Sequence, residues 1–147
     1  MSSSRSVDIV LAAFAAVETR DEQRLMTLCH PQVSFVWPPS LPYGGIASGR
    51  EAARVDRGWS AAWQPFQPTP NERRMDPRVV AATDTEVVVL WHQRGLAGSG
   101  LRYDGEVLGL YEIRDDALAH AQMFYFEPVA AGRFLEAGTA SRYPSSG

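Results

Sequence analysis

The stretch Glu86–Phe126, EVVVLWHQRGLAGSGLRYDGEVLGLYEIRDDALAHAQMFYF, decides the fold. Three runs rich in Val, Leu, Tyr and Phe are separated by two turn signals, GLAGSG at 95–100 and Asp115-Asp116. β-Branched and aromatic side chains suit a pleated, half-buried surface, and Gly and Asp supply the tight turns between strands. The runs predict strands over Glu86–Gly95, Leu101–Arg114 and Leu118–Phe126. Thr83 and Asp84 make another tight turn, and Arg73–Ala82 before it predicts a fourth strand. Four strands with short connections form an antiparallel meander.

Upstream the period changes. From Ser6 to Glu18, Val7, Val10, Leu11, Phe14 and Val17 recur at the spacing of one helical face, and Ser6 can cap the first turn. A shorter helix is expected over Asp21–Leu28, with Leu25 and Leu28 inward, before Pro31. Val33–Trp37 alternates as a short strand. WPPSLPYGGIASG at 37–49 is a stiff loop, rich in Pro and Gly. A third helix is expected from Ser48 to Trp63, with Ala52, Val55 and Trp59 on its apolar stripe. Pro128 opens a last helix, Val129–Ala137. Helices segregated from an antiparallel meander give an α+β domain: a curved, cone-shaped sheet with helices on its concave face. One domain over 6–137 is expected, with residues 1–5 and 139–147 as flexible tails.

Composition bounds the function. The 147 residues suit one domain, and 45% are hydrophobic, enough for a core without staples. A formal charge of −3 offers no basic footprint for nucleic acid. All 14 basic residues are Arg, which removes Schiff-base lysines, pyridoxal attachment and the lysine of a phosphate-binding loop. One cysteine, Cys29, excludes an internal disulfide or a cysteine zinc cage. The three histidines, His30, His92 and His120, lack metal-ligand spacing, so no metal and no cofactor are expected. MSSSRSVD lacks a secretory pattern and no run approaches a membrane span, so a cytoplasmic protein with no membrane partner is expected.

Three stretches carry a family resemblance: SFVWPP through SGREAA (34–53), LGLYEIRDD (108–116), and FYFEP (124–128) with its following helix. By these, residues 6–137 resemble the SnoaL-like proteins of the nuclear-transport-factor-2-like superfamily, whose relatives include ketosteroid isomerase, limonene epoxide hydrolase and polyketide cyclases. The resemblance implies side chains pointing into the cone. On the long third meander strand these are Tyr103, Gly105, Val107, Gly109 and Tyr111. On the last strand they are Gln122, Phe124 and Phe126, and on the WHQR strand Val88, Leu90, His92 and Arg94. A one-residue slip in the GLAGSG hairpin would present Val89, Trp91 and Gln93 instead. Phe35 and Trp37 point in from the short strand, Trp59 and Trp63 roof the cavity, and Tyr43 guards its mouth.

Family chemistry transfers poorly. The positions matching the base, acid and tyrosine of ketosteroid isomerase are Trp37, Gly109 and Ala13. Those matching the Arg, two Asp, Tyr and Asn of limonene epoxide hydrolase are roughly Leu90, His92, Phe124, Phe35 and Trp37. What remains is His92 as a general base or acid, with Arg94, Tyr103 and Tyr111 supporting a developing oxyanion. The plainer readings are a core or dimer-face histidine, an Arg94 salt bridge to Glu106, and packed tyrosines.

The expected function is a small cofactor-free enzyme performing isomerisation, cyclisation or dehydration on a hydrophobic oxygenated metabolite. The alternative is a non-catalytic binder of a small hydrophobic ligand. Leu101, Leu108, Leu110, Met123 and Tyr125 are expected on the convex face, an apolar surface that needs cover, and the resemblance implies that a two-fold homodimer covers it.

Overall fold

The computed structural model describes residues 2–54 and 58–142. Helix α1 (Ser2–Glu18) turns Ile9, Val10, Ala13, Phe14 and Ala16 into the core, the 3.6-residue stripe expected of an amphipathic helix. Val10 and Phe14 are each worth about 1.5–3 kcal/mol of burial. Ser6 lies inside the helix; its hydroxyl donates to the Thr83 carbonyl (2.7 Å) and ties α1 to the sheet. Arg20 reverses the chain at positive φ, and Asp21 caps α2 (Glu22–Leu28) by accepting from the Arg24 amide (3.0 Å).

Strand β1 (Cys29–Trp37) is followed by the Pro/Gly loop and by β2 (Gly45–Ser48), a short edge strand not foreseen from the sequence. A 3₁₀ turn (Arg50–Ala53), α3 (Gly58–Trp63) and a second 3₁₀ turn (Gln64–Phe66) replace the continuous third helix that was expected. Val55, placed on that helix's stripe, lies outside the described residues. Next comes α4 (Pro70–Arg73), where Thr69 and Glu72 form a capping box. The strand expected from Arg73 therefore starts only at Arg78: β3 (Arg78–Ala82), β4 (Glu86–Leu96), β5 (Arg102–Arg114) and β6 (Ala117–Tyr125) follow. Asp115 and Asp116 both take positive φ, as a two-residue hairpin turn requires. Helix α5 (Pro128–Arg142) closes the described chain. Ser2–Arg5 and Thr139–Arg142, expected within tails, are helical.

The strands form one curved six-stranded sheet in the order β2-β1-β6-β5-β4-β3. All pairs are antiparallel except β1 with β6, so the sheet is mixed. The long β4–β5 ladder runs unbroken from Glu86↔Glu112 to Leu96↔Arg102. Its register fixes which side chains face the helices.

On β5 the inward residues are Tyr103, Gly105, Val107, Gly109 and Tyr111, as expected. On β4 the expectation is overturned. Val87, Val89, Trp91 and Gln93 are buried inward, while Val88, Leu90, His92 and Arg94 lie on the outer face. Both parities of VVVLWHQR carry large apolar groups, so alternation alone cannot choose between them. The ladder sets Trp91 opposite Val107 and His92 opposite Glu106. The same correction applies to β6: Ala121, Met123 and Tyr125 are inside, and Gln122, Phe124 and Phe126 are not. Leu108 pairs with Phe124 and Gly109 with Met123, which decides the parity. Met123 and Tyr125 therefore leave the expected convex patch and Phe124 joins it.

Candidate functional site

A cavity of about 110 Å³ opens between the concave sheet face, α1, α2, β2 and α3. Its walls are aromatic and aliphatic. Phe14 and Ala13 come from α1, Phe35 and Trp37 from β1, Trp91 from β4, Tyr111 from β5 and Met123 from β6. Tyr43 and Trp59 close one side, and Leu25 and Met75 border the other elements that reach it. Among the described lining residues none is Asp, Glu, Arg, Lys or His. Ala13 and Trp37, which the resemblance matches to a tyrosine and a carboxylate, both line the cavity and give it neither group.

The rings are interlocked. Trp37 and Trp59 lie parallel with centroids 6.0 Å apart, and Tyr43 meets Trp37 edge-on at 5.3 Å. Phe14 packs edge-on against both Trp91 (6.0 Å) and Tyr111 (5.6 Å). Each such pair adds about 0.5–1.5 kcal/mol beyond area burial and holds the wall in one arrangement.

A hydrogen-bonded relay runs behind this wall. The Trp63 indole N–H donates to the Tyr43 hydroxyl (2.8 Å), which is 2.7 Å from the Tyr125 hydroxyl. Tyr125 donates to Gln93 Oε1 (3.2 Å), and Trp59 donates to the same oxygen (2.6 Å). Gln93 is 1% exposed, and the relay explains why an amide is tolerated there. Burial drives the phenol pKa values of Tyr43, Tyr125 and Tyr111 well above the ordinary range, so all three stay neutral donors. Gly109 lets this happen on β5: a Cβ there would collide with the Tyr111 ring and hydroxyl, which fold back over it.

The expected site residues separate into three groups. Phe35, Trp37, Tyr43, Trp59 and Tyr111 line the cavity. Trp63, Tyr103 and Val107 face inward but lie off it: Trp63 stacks on Phe134 at 5.7 Å, and Tyr103 meets both rings at 5.6 and 5.8 Å. Gln122, Phe124 and Phe126 are on the outer side, Phe124 and Phe126 being exposed.

His92 and Arg94, expected to move the proton and hold the oxyanion, form an ion cluster on the outer face. His92 Nδ1 is 2.8 Å from Asp104 Oδ1, and Arg94 Nε donates to Asp104 Oδ2 (3.1 Å). Arg94 also reaches Asp76 (3.0 Å) and donates to the Arg74 carbonyl (2.6 Å). The salt-bridge reading of Arg94 holds, with Asp104 and Asp76 as partners in place of Glu106. Partial burial would raise the Asp104 pKa, but hydrogen bonds and charge from His92 and Arg94 outweigh it and lower the pKa overall.

The residues missed from the sequence are Trp91, Gln93, Phe14 and Met123. The slipped alternative of the WHQR strand names the first two, so the signal was present but undecided. Among the described residues no group of three or more His, Cys, Asp or Glu converges as a metal site.

These features match known proteins in fold. No curated protein matches the chain. Many solved structures resemble it, among them the following three. TerC, co-crystallised with polyporic acid, aligns at TM-score 0.72 and 19% identity over 90% of this chain and 98% of its own. A nuclear-transport-factor-2-like protein from Burkholderia xenovorans LB400 aligns at 0.68 and 19% identity, with the same coverages. A putative polyketide cyclase from Xanthomonas campestris pv. campestris aligns at 0.70 and 15% identity over 92% of this chain and 99% of its own. At such identities the likeness carries the fold alone. The model of the SnoaL-like domain matches residues 10–121, from the middle of α1 through most of β6, and the chain therefore belongs to the SnoaL-like domain family.

Proposed function

We propose that the cone receives a small, planar, mostly apolar molecule and that the domain works by binding it. The carrying observation is the wall itself: stacked and edge-on aromatic rings, with no Asp, Glu, His, Arg or Lys among the described lining residues. Such a cavity rewards burial of apolar surface and flat rings. Its volume lies well below the roughly 300–1,000 Å³ of sites for drug-sized molecules, which favours one or two rings. Binding should quench tryptophan fluorescence, because Trp37, Trp59 and Trp91 all line the site. Titrating naphthalene and 1-tetralone at pH 5.5 and 8 should give affinities equal within twofold, since no lining group titrates between them. A tenfold change across that range would defeat the reading.

A second reading retains catalysis: cofactor-free isomerisation, cyclisation or dehydration of an oxygenated metabolite. It is favoured by the buried Tyr111 phenol in the wall, a neutral donor able to polarise a carbonyl, and by likeness to a putative polyketide cyclase. Tyr111→Phe should then lower turnover about 10²–10³-fold, as loss of one oxyanion donor does. The acid–base role expected of His92 and the oxyanion role expected of Arg94 find no support in their outer-face ion cluster.

The outer sheet face supports a homodimer. Leu90, Leu108 and Leu110 are half-buried and Phe124 is 47% exposed in the single chain. Sedimentation at micromolar concentration should give a dimer, and Phe124→Glu should give a monomer. No described helix is long and apolar enough to cross a membrane; a cytoplasmic setting remains our reading.

A further inference from the structure

Trp91 sits mid-strand on the cavity floor, 1% exposed, with Phe14, Trp59 and Tyr125 edge-on around it. Among the described residues its indole Nε1 is the one buried side-chain nitrogen or oxygen without a hydrogen-bond partner. An unpartnered buried donor costs about 1–3 kcal/mol, so it calls for a cause. Of the other three indoles, Trp59 and Trp63 both have acceptors, and Trp37 is only partly buried.

Tyr111 stands beside it: the Trp91 N–H lies near enough to the Tyr111 hydroxyl to favour its phenolate, but outside hydrogen-bond geometry. The Tyr111 hydroxyl has only the Met123 thioether as acceptor, at 3.6 Å, and sulfur is a weak one. The ring folds back over Gly109, the residue opposite Val89, which carries the hydroxyl along β5 towards the level of Trp91. Both rings meet the same edge-on neighbour, Phe14. Two donors, one idle and one poorly used, thus share one wall of an otherwise apolar cavity.

Resting on the binding reading above, we propose that Trp91 Nε1–H and Tyr111 O–H form a two-donor subsite for the neutral acceptor oxygen of a ring ketone, lactone or quinone. A carboxylate or phosphate would shed its hydration there without meeting a cation. A hydrocarbon would leave Trp91 unsatisfied. The ligand ring would lie among Phe14, Trp37 and Trp59, where a cavity of this order holds about one aromatic ring system.

The test compares 1-indanone with indane, which differ in the carbonyl, by following the four indole N–H resonances of ¹⁵N-labelled protein. Trp91→Phe assigns its resonance. Indanone should bind about tenfold tighter than indane, the effect of two modest hydrogen bonds. It should move the Trp91 resonance downfield, and indane should not. Tyr111→Phe should weaken indanone about three- to tenfold and leave indane unchanged. Equal binding of both compounds with the Trp91 resonance unmoved would overturn the subsite and leave the apolar receptor standing. Failure of both to bind would overturn the receptor and the subsite together.

Discussion

Gly109→Ala tests the packing that shapes the cavity. A Cβ at this position would stand 2.6 Å from both Cε2 and Cζ of Tyr111. Ordinary contacts begin near 3.4 Å, so the ring must retreat by about 0.8 Å. Phe14 blocks one direction, with its centroid 5.6 Å away, and Met123 holds the hydroxyl at 3.6 Å. The free direction is the cavity. Overpacking of this kind costs about 1–3 kcal/mol. For a chain of 147 residues that lowers Tm by roughly 3–10 °C. Urea unfolding and calorimetry measure the loss, and a double-mutant cycle locates it. In a Tyr111→Leu background the added methyl meets no ring, and most of the cost should disappear. Gly98→Ala is the control: nothing lies within 4 Å of its Cβ, and it should change stability by less than about 0.5 kcal/mol. If Gly109→Ala costs the same with or without Tyr111, the ring does not fold over Gly109 and the shape argued for the cavity is wrong.

Gln93→Leu removes the oxygen that accepts from Trp59 and Tyr125; it should cost about 1–3 kcal/mol in urea unfolding, and a neutral result would show that the relay contributes nothing. Asp104→Asn should destabilise the protein at pH 7 but not in strong acid. The folded Asp104 pKa is lowered, so its contribution is present above the unfolded value of about 3.9 and fades as pH falls through the folded one. Wild-type and variant stability curves that stay parallel to pH 2 would contradict this. Cys29 is fully buried and its thiol is pushed up to about 11; it should resist iodoacetamide in the native protein at pH 8 and react once urea unfolds the chain. Ionisation of Tyr43, Tyr111 and Tyr125, followed at 295 nm in alkali, should coincide with loss of the far-UV signal, because burial raises all three. Phenolate absorbance equivalent to more than two of the five tyrosines at pH 11, from a protein still folded, would count against their burial.

Side-chain parity shows where sequence reading succeeded. On β5 the glycines at 105 and 109 and the charges at 104, 106 and 112 leave one face for Tyr103, Val107 and Tyr111, so binary pattern alone orients the strand. On β4 and β6 both faces carry bulky groups: Trp91 against Leu90, Met123 against Phe124. Their orientation depends on backbone pairing with β5, and a glycine-rich hairpin gives no local clue to it. His92 looked chemical because an imidazole in an apolar run is rare. Its position opposite Glu106 and beside Asp104 makes it part of a surface charge network instead.

Local chemistry was enough for the rest of the framework. The heptad-like stripe of α1, the Asp115-Asp116 turn, the long strands and the family likeness all follow from side-chain type and spacing, which act within a few residues. The cavity does not. Its floor is assembled from Phe14, Trp91, Tyr111 and Met123, which come from one helix and three strands. Their convergence, the relay through Gln93 and the idle indole of Trp91 are set by register and ring packing between segments up to 109 residues apart, and only the tertiary structure decides those.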